Sequence, residues 1–427
     1  MPGLKLRAAA VVSALLVTTT GSLAATPLLA PAAAAGSGPA FLAGRLVGGN
    51  HLTNSYGDDQ GLTADLALAL AASHEQDPAL AKVVGWLTSQ VVPYADPAGT
   101  TAYPGPYSGA AGKLALVAEA TGQDPHSFGG FDLLATLTGH VCTAARPDGS
   151  CTAAGDFYQS YSSISQSLAV LALARGGVTP PAAAVTRLEQ LQCADGGFSS
   201  ELVVPPAACS SDADATGYAV QALSLLPGTA AVLGTARDYL LTTQQPDGGY
   251  TGAAGENANS TALAAQALTA LAGVAGLPAS TVTPVHADPV TAARAFLTGL
   301  QQPDGGYLIN PATPGSDVRS TTQAVPALAG AILTTVSDPV TAVSPTVTPT
   351  PTASASGSAR PSSSAPAGVP AATSAAAVPP APAAATGGEV LASTGARSRQ
   401  PLLAGLGLVL AGGLALLLAR RPRGRRG

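Results

Sequence analysis

Acidic side chains that could take part in catalysis are spread along the first half of the chain. Two carboxylates that flank a glycosidic bond can hydrolyse it, one as the acid and the other as base or nucleophile. Aspartate is also a common helix cap and turn residue, so a structural role competes with the catalytic one. The candidate acids and their helpers are Asp58, Asp59, Asp65, Asp156 and Asp214, with His51, Tyr158 and Tyr161.

A second polar set recurs at matched positions near the starts of predicted helices. Four threonines fall in one column when the segments around them are aligned, and polar residues stand two positions before the last three. Ligand contact and helix capping both fit such a column. The set predicted to face a ligand is Asp59, Thr63, Asp214, Thr216, Asn259, Thr261, Arg319 and Thr321.

A glycine-rich turn separates the elements that must position these residues. The heptapeptide QQPDGGY occurs at 244–250 and again at 301–307, with the looser copy QCADGGF at 192–198. An active site is needed once, whereas a joint is needed in every unit, so recurrence favours a structural turn in which glycine tolerates positive φ. Its residues are Gln192, Asp195, Gly196, Gly197, Phe198, Gln244, Asp247, Gly248, Gly249, Tyr250, Gln301, Asp304, Gly305, Gly306 and Tyr307.

The turn lies between two helices in each unit, and the second helix of the pair can be counted. DADATGYAVQAL (212–223), NANSTALAAQAL (257–268) and SDVRSTTQAVPAL (316–328) are clear copies, and weaker copies stand at 61–70, 109–120 and 162–173. Each has apolar residues at helical spacing behind a polar start. The pattern predicts an all-α domain over 40–336, built from about six helical hairpins that bury their apolar faces by stacking.

Six hairpins, of which the last three carry Q-x-x-D-G-G-[FY] between the paired helices, resemble the α/α toroid of terpene cyclases and protein prenyltransferases, a repeat also called the prenyltransferase/squalene oxidase repeat. Cobalamin carriers and complement thioester domains share that toroid. The resemblance covers about 70% of the chain and implies that the hairpins close into an inner ring of helices inside an outer one.

The chemistry of these relatives is mostly missing from the residues. In SDADAT, Asp212 and Asp214 are present, but Ala215 stands where the DxDD motif of protonating cyclases has its third acid. The zinc ligands of prenyltransferases, the GCGEQ thioester and a complete DDxxD motif are absent from the sequence, and so is the β-domain of cobalamin carriers. The resemblance therefore favours a binding module that needs no cofactor, with a cyclase-like or carbohydrate-active enzyme as the alternative.

The four cysteines bear on the redox environment of the chain. Their number is even and their spacings are short, which in an exported protein indicates two local disulfides. Zinc binding is the competing interpretation, but no CxxC pair is present. The predicted pairs are Cys142 with Cys151 and Cys193 with Cys209.

The start of the chain indicates export, and the region after the helices cannot form a core. Residues 1–35 carry basic residues, an apolar run and small residues, the pattern of a secretory signal peptide. Residues 338–388 are almost entirely Pro, Ser, Thr, Ala, Val and Gly. This composition predicts a disordered stalk.

The C-terminal end resembles the cell-wall sorting signal of Gram-positive surface proteins in its LAxTG variant. Residues 391–395 read LASTG, 402–419 form an apolar run that can span a membrane, and 420–427 form a basic tail on the cytoplasmic side. An ordinary C-terminal membrane anchor is the alternative. The resemblance implies that sortase cuts after Thr394 and joins it to the peptidoglycan precursor, with the motif formed by Leu391, Ala392, Ser393, Thr394 and Gly395.

The predicted mature chain, 36–394, is strongly acidic. Removing the nine basic residues of the two ends leaves ten Lys and Arg against 24 Asp and Glu, a net charge near −14. Such a charge argues against nucleic acid or anionic lipid as a partner. We therefore expect an extracellular, wall-anchored protein whose partners are sortase, the peptidoglycan precursor and a small molecule, glycan or protein of unknown identity.

Overall fold

The computed structural model describes residues 36–100, 105–203, 208–252 and 255–343. The predicted signal peptide, the sorting motif, the apolar run 402–419, the basic tail and most of the predicted stalk lie outside these ranges. Among the helices within them, none has the length and apolar character that a membrane span requires.

Helices account for most of the described residues, joined by short turns and two-stranded ribbons. All three ribbons found there are antiparallel: β1 (Thr53–Asn54) with β2 (Gly57–Asp58), β3 (Phe198–Ser199) with β4 (Ser211–Asp212), and β5 (Tyr250–Gly252) with β6 (Gly255–Asn257). The helices in chain order are α1 (Gly38–Gly44), α2 (Gln60–Ser73), α3 (Asp77–Ser89), α4 (Val91–Ala95), α5 (Ser108–Ala120), α6 (Leu133–Gly139), α7 (Ser163–Arg175), α8 (Ala182–Glu189), α9 (Ala213–Leu223), α10 (Ala230–Thr243), α11 (Ala258–Leu271), α12 (Pro289–Gly299) and α13 (Val318–Ala329).

The second helix of each predicted hairpin is present, as α2, α5, α7, α9, α11 and α13. We call these the inner helices. Five of them begin behind a polar cap whose side chain accepts a hydrogen bond from a backbone amide three residues on, which satisfies one of the free amides of the first turn. The caps are Asp59, Ser162, Asp212, Asn257 and Asp317.

The inner helices form a closed ring. Each contacts the next along the chain, and the last, α13, contacts the first, α2. Small residues allow the close approach: a Cβ on Gly112 would lie 2.9 Å from the backbone of Leu168 in α7, and one on Gly217 would lie 3.0 Å from that of Leu263 in α11. Nearly every residue of α5, α7, α9 and α11 is buried, because these helices face neighbours on all sides.

The first helices of the hairpins pack outside this ring. Of the segments that the structure covers, α1, α3, α6, α8, α10 and α12 take this position, each against an inner helix. They bury only one face; in α12, for example, the buried residues are Ala293, Phe296 and Leu297, one helical turn apart. An inner ring of helices inside an outer one is an α/α toroid, as the turn motif predicted.

The chain that follows α13 crosses one end of the ring. Backbone amides of Asp338, Val340 and Val343 donate to carbonyl oxygens of Ala120, Thr121 and Ala81 at 2.7, 3.1 and 2.9 Å, respectively. Composition predicts that residues 338–343 belong to the stalk, but they pack against the toroid. Their backbone amides form hydrogen bonds with carbonyl oxygens at the end of α5 and in the first half of α3. At the other terminus Gly36 also packs, donating to Pro303 at 3.0 Å, so the ordered domain is wider than 40–336.

Candidate functional site

The recurring turn lies between the two helices of one hairpin and packs against the start of the next hairpin along the ring. Gly196, Gly248 and Gly305 have φ of +93°, +96° and +91°. A Cβ there would lie 2.3 to 2.5 Å from a backbone oxygen of α10, of α12, or of Ser37 just before α1. Glycine is therefore required twice over, by conformation and by contact. The third of these contacts links the last hairpin to the first.

The other residues of the turn fix the same joint. Asp195, Asp247 and Asp304 each accept a hydrogen bond from the amide two residues on, at 3.1 to 3.2 Å. Gln192 and Gln244 donate both to the turn and to a carbonyl of the next outer helix. The structural interpretation of the heptapeptide agrees with this geometry.

The threonine column is part of the joint as well. Each hydroxyl donates to the carbonyl of the helix cap and accepts from the amide of a residue in the turn, at 2.6 to 3.0 Å. All four side chains are fully buried. These hydroxyls hold the turn against the inner helix. The residues are Thr63, Thr216, Thr261 and Thr321.

The third hairpin builds the same joint from a different residue. Gln166 occupies the threonine position in α7; its Oε1 accepts from the amide of Phe157 at 2.9 Å. Its Nε2 donates to Gly155 at 2.9 Å and to Ala184 of α8 at 3.2 Å, the two kinds of bond that the turn glutamines make elsewhere. The single side chain of Gln166 thus makes the bonds that a threonine and a turn glutamine make in the other hairpins. The third hairpin therefore has this joint without the threonine or the Q-x-x-D-G-G turn.

The remaining residues of the predicted ligand-facing set differ in position. Asp59 caps α2, accepting from Leu62 at 2.8 Å. Asn259 is half-buried, and its Oδ1 has no hydrogen-bond partner among the described residues. The side chain of Arg319 is 30% exposed, and its Nη1 lies 4.0 Å from Oδ2 of Asp65. They lie at the end of the ring where the inner helices begin, which we call the mouth.

An ion pair fills the centre of the ring. Nζ of Lys113 in α5 lies 2.7 Å from Oδ1 of Asp65 in α2, and both side chains are at most 5% exposed. Burial lowers the pKa of Lys113, but the attraction of Asp65 and of nearby Tyr94 and Tyr218 outweighs it, so the pKa lies above its ordinary value. The lysine therefore stays charged and paired.

The space left around this pair is small. A cavity of about 20 Å³ lies against Asp65, Lys113, Tyr218 and Leu333. That is room for about one water molecule. Pockets that bind small molecules measure roughly 300–1,000 Å³. This cavity is therefore too small for a molecule of the size that such pockets bind.

Asp214 lies at the mouth with an unusual carboxyl group. The residue is 5% exposed, and one of its carboxyl oxygens has no hydrogen-bond partner in the described part of the chain. Burial and the nearby charge of Asp212 raise its pKa to about 7, although Ser260 on α11 opposes the shift. A carboxyl group with that pKa can donate a proton near neutral pH.

The segment that crosses the ring seals the end opposite the mouth. Arg175 at the end of α7 donates to carbonyl oxygens of Leu333 and Val336, and the amide of Leu333 donates to Gln221 of α9 at 2.8 Å. Glu119 of α5 lies 3.5 Å from Arg175; burial raises the pKa of Glu119 to about 8 despite that arginine. Because the side chain of Leu333 also lines the central cavity, we call residues 331–343 the plug.

Both predicted disulfides are present, Cys142 with Cys151 and Cys193 with Cys209. The first closes the loop before α7, where a second buried ion pair joins Asp156 to Arg187 of α8 at 2.7 Å. Asp156, a candidate catalytic acid, also accepts from Thr152 and Ala153. It holds the loop and has no exposed surface. No group of three or more His, Cys, Asp and Glu within the described ranges is placed to bind a metal ion.

Sequence reasoning missed the partners of several buried charges. Lys113 is the one charged residue before Glu119 in the alanine-rich segment 109–120, and an isolated charge in an apolar helix was the signal available. Arg187 and Arg175 gave no such signal, because each stands at an ordinary position near a helix end.

The described helices thus form an all-α toroid, an inner ring of helices inside an outer one. No family model matches the chain. Over 134 residues it is 35% identical to the drimenyl diphosphate synthase of Streptantibioticus cattleyicolor, a match that covers 31% of this chain and 23% of that protein. The matched stretch thus spans about a quarter of its curated relative.

Solved structures with a similar path of the chain include proteins of several kinds. A protein from Actinoplanes is 18% identical, with 69% of this chain and 97% of that one covered and a TM-score of 0.47. The type II terpene cyclase MstE from Scytonema is 16% identical (68% and 95% covered, TM-score 0.48). Protein geranylgeranyltransferase-I of Candida albicans is 14% identical (63% and 83% covered, TM-score 0.44).

Proposed function

We propose that the protein is an extracellular binding module that holds a ligand or partner at the mouth of the toroid and does not catalyse a reaction. The observation that carries this proposal is the lack of space in the centre of the ring. The ion pair of Lys113 with Asp65 lies there, the plug closes one end, and the cavity beside the pair measures only about 20 Å³. An enzyme that used the centre of the toroid would need a larger cavity for its substrate. A prenyl chain does not fit there. The loops at the mouth remain as the surface on which a ligand can bind.

A product assay separates this proposal from cyclase activity. The purified chain is incubated with squalene and, separately, with a prenyl diphosphate, and the extracts are analysed by mass spectrometry. We expect no cyclised product. Product that is formed by the wild type and by Asp77→Asn, a control at an exposed position, but not by Asp214→Asn would replace the binding proposal with a cyclase.

Ligand binding itself is tested by thermal shift, since a ligand of the folded state raises the melting temperature. Cobalamins, heme and soluble wall glycans are the first probes. A stabilising ligand should lose its effect in Arg319→Ala at the mouth and keep it in Lys82→Ala on the outer helix α3. Equal loss in both variants would place the ligand elsewhere.

The location of this module is a proposal of its own. LASTG at 391–395, the apolar run and the basic tail support covalent attachment to the cell wall, and the two disulfides support an oxidising compartment. Mass spectrometry of a wall digest should find a peptide that ends at Thr394 and carries a wall fragment. Thr394→Ala should abolish that peptide, whereas Ser393→Ala, at the variable position of the motif, should retain it. Intact chain in the membrane fraction of both variants and wild type would favour a simple anchor.

One observation favours a second function, acid catalysis at the mouth. Asp214 combines burial, an unpaired oxygen and a pKa of about 7, which are the properties of a general acid. Burial also raises the pKa of Asp212 beside it. For a carbohydrate-active enzyme we would expect release of reducing ends from wall or plant polysaccharides, lost in Asp214→Ala or Asp59→Ala. The absence of such release with every polysaccharide tested would leave binding as the function.

A further inference from the structure

A cleft at the mouth end of the toroid has the composition of a small-anion site. It lies between the end of α6 and the loop closed by the disulfide of Cys142 and Cys151, with Tyr158 as a further wall. Its volume is about 160 Å³. An engineered protein cavity of about 150 Å³ takes up benzene, so a molecule with one six-membered ring fits.

A cationic side chain on the wall of the cleft has no close ion-pair partner within the described residues. The guanidinium group of Arg146 lies 5.4 Å from the centre of the Tyr158 ring and makes no ion pair within the described residues. The hydroxyl of Ser150 donates to Asp148 at 2.6 Å, and the nearby charge of Arg146 contributes to lowering the pKa of Asp148 without a close ion pair. The stacking orients the guanidinium group and leaves its N–H groups available.

His140 adds a second polar group. Its Nδ1 lies 2.8 Å from the carbonyl oxygen of Thr136, so Nδ1 carries the hydrogen and Nε2 is the free nitrogen. The imidazole and the Tyr158 ring are 6.4 Å apart and inclined by 48°. The two rings give the cleft an aromatic lining beside its cationic group.

The backbone around the cleft is held in place without a ligand. The amide of Tyr158 donates to the carbonyl oxygen of His140 at 2.8 Å, and the amide of Cys142 donates to the carbonyl oxygen of Asp156 at 2.8 Å. The disulfide and the buried pair of Asp156 with Arg187 tie the same loop to α8. A site whose backbone is positioned in advance loses less entropy on binding.

From this arrangement we infer that the cleft binds a small carboxylate carried on a six-membered ring, such as a sugar acid or an aromatic acid. The forked guanidinium group of Arg146 matches the two oxygens of a carboxylate. The ring of the ligand would contact the aromatic walls. The predicted mature segment, 36–394, has a net charge near −14, so most of its charged side chains would repel a carboxylate and Arg146 would attract one. The inference rests on the proposed function in placing the ligand at the mouth end and names its chemical class.

A titration of the full chain with benzoate, followed by NMR or calorimetry, tests the inference. We expect saturable binding of benzoate and none of benzyl alcohol, which has the ring without the charge. Arg146→Gln should weaken binding about tenfold or more, because it removes a charge-assisted pair. Arg146→Lys should have an intermediate effect, since it keeps the charge and loses the fork.

A matched control is available on the first helix. Arg45 lies 4.4 Å over the Phe41 ring in the same manner, but it is 3.6 Å from Asp304, so Arg45→Gln should leave benzoate binding unchanged. Binding that is equal for benzyl alcohol, unaffected by Arg146→Gln, or matched by inorganic phosphate would overturn the inference, as would no binding at all. Because the product assay does not involve the cleft, a failure here is distinguishable from a failure of the proposed function.

Discussion

At the scale of single residues, Asp214 shows how burial changes the chemistry of a common side chain. Its neighbours offer Ser260 as a partner and Asp212 as a repelling charge, and burial is the largest cause of its raised pKa. The sequence alone showed an acid near a helix start, a position where most aspartates are solvated. Only the packing of α9 against α11 removes the water.

The raised pKa of Asp214 leads to a prediction about stability and pH. The folded state binds this proton more tightly than the unfolded chain, whose ordinary pKa is 3.8, so the contribution is fully present below pH 3.8 and is lost as pH rises through about 7. Asp214→Asn carries no charge at any pH. We expect its melting temperature to exceed that of the wild type above pH 7 and to fall less between pH 4 and 8.

Asp77→Asn serves as the control, because it removes an exposed carboxylate from the first turn of α3. Its pH profile should follow that of the wild type. A lower melting temperature for Asp214→Asn at pH 8 would mean that a charged Asp214 stabilises the fold, contrary to the interpretation of a buried neutral acid.

At the scale of elements, the turn glycines connect neighbouring hairpins, and a matched pair of glycines can show it. Gly248 and Gly255 belong to the same hairpin and both have positive φ, +96° and +78°. A Cβ on Gly248 would lie 2.3 Å from the backbone oxygen of Ala292, whereas one on Gly255 would meet nothing within 4 Å.

We therefore expect Gly248→Ala to lower the melting temperature by several degrees more than Gly255→Ala does. Both variants share the cost of a left-handed backbone, so the difference measures the contact with α12. Differential scanning calorimetry gives both values. Equal losses would mean that the backbone conformation alone demands glycine at this turn.

The plug gives a second prediction at this scale. Leu333 is 8% exposed and fills space beside the central cavity, so Leu333→Ala should destabilise the fold by about 2 kcal/mol or more. Leu225→Ala is the control: this leucine is 40% exposed, and the change should stay within about 0.5 kcal/mol. Denaturant unfolding measures both. A neutral Leu333→Ala would show that hydrogen bonds hold the plug without a contribution from this apolar side chain.

At the scale of the whole molecule, closure distinguishes this ring of hairpins from an open solenoid. The amide of Gly36 donates to Pro303, and Gly305 packs on Ser37, so the last turn is joined to the start of the described chain. Open repeat arrays unfold in parts because their terminal units have one neighbour each. A closed ring has no terminal unit.

Closure predicts a single cooperative unfolding transition for the ordered domain. The calorimetric enthalpy should equal the van't Hoff enthalpy, which is the test of two-state behaviour. Gly305→Ala should lower the melting temperature about as much as Gly248→Ala, although it acts between the two ends of the domain. A separate low-temperature transition in Gly305→Ala would show that the joint between the ends is weaker than the others.

Local sequence signals predict the repeated parts of this protein. The helix starts, the turns, the number of hairpins and both disulfides follow from caps, glycines, apolar spacing and cysteine spacing, all of which are local signals. Their recurrence also identified the turn as structural, since one site does not need several copies.

The residues that occupy the ring are brought together by long-range packing. The pairing of Lys113 with Asp65, the use of Gln166 in place of a threonine and a glutamine, and the packing of residues 331–343 into one end depend on side chains far apart in sequence. Composition assigned 338–343 to a stalk, because no local pattern records a backbone bond to Ala120 or Ala81. Burial and long-range contact are properties of the folded chain, and they place the ion pair of Lys113 with Asp65 in the centre of the ring and the plug in one end.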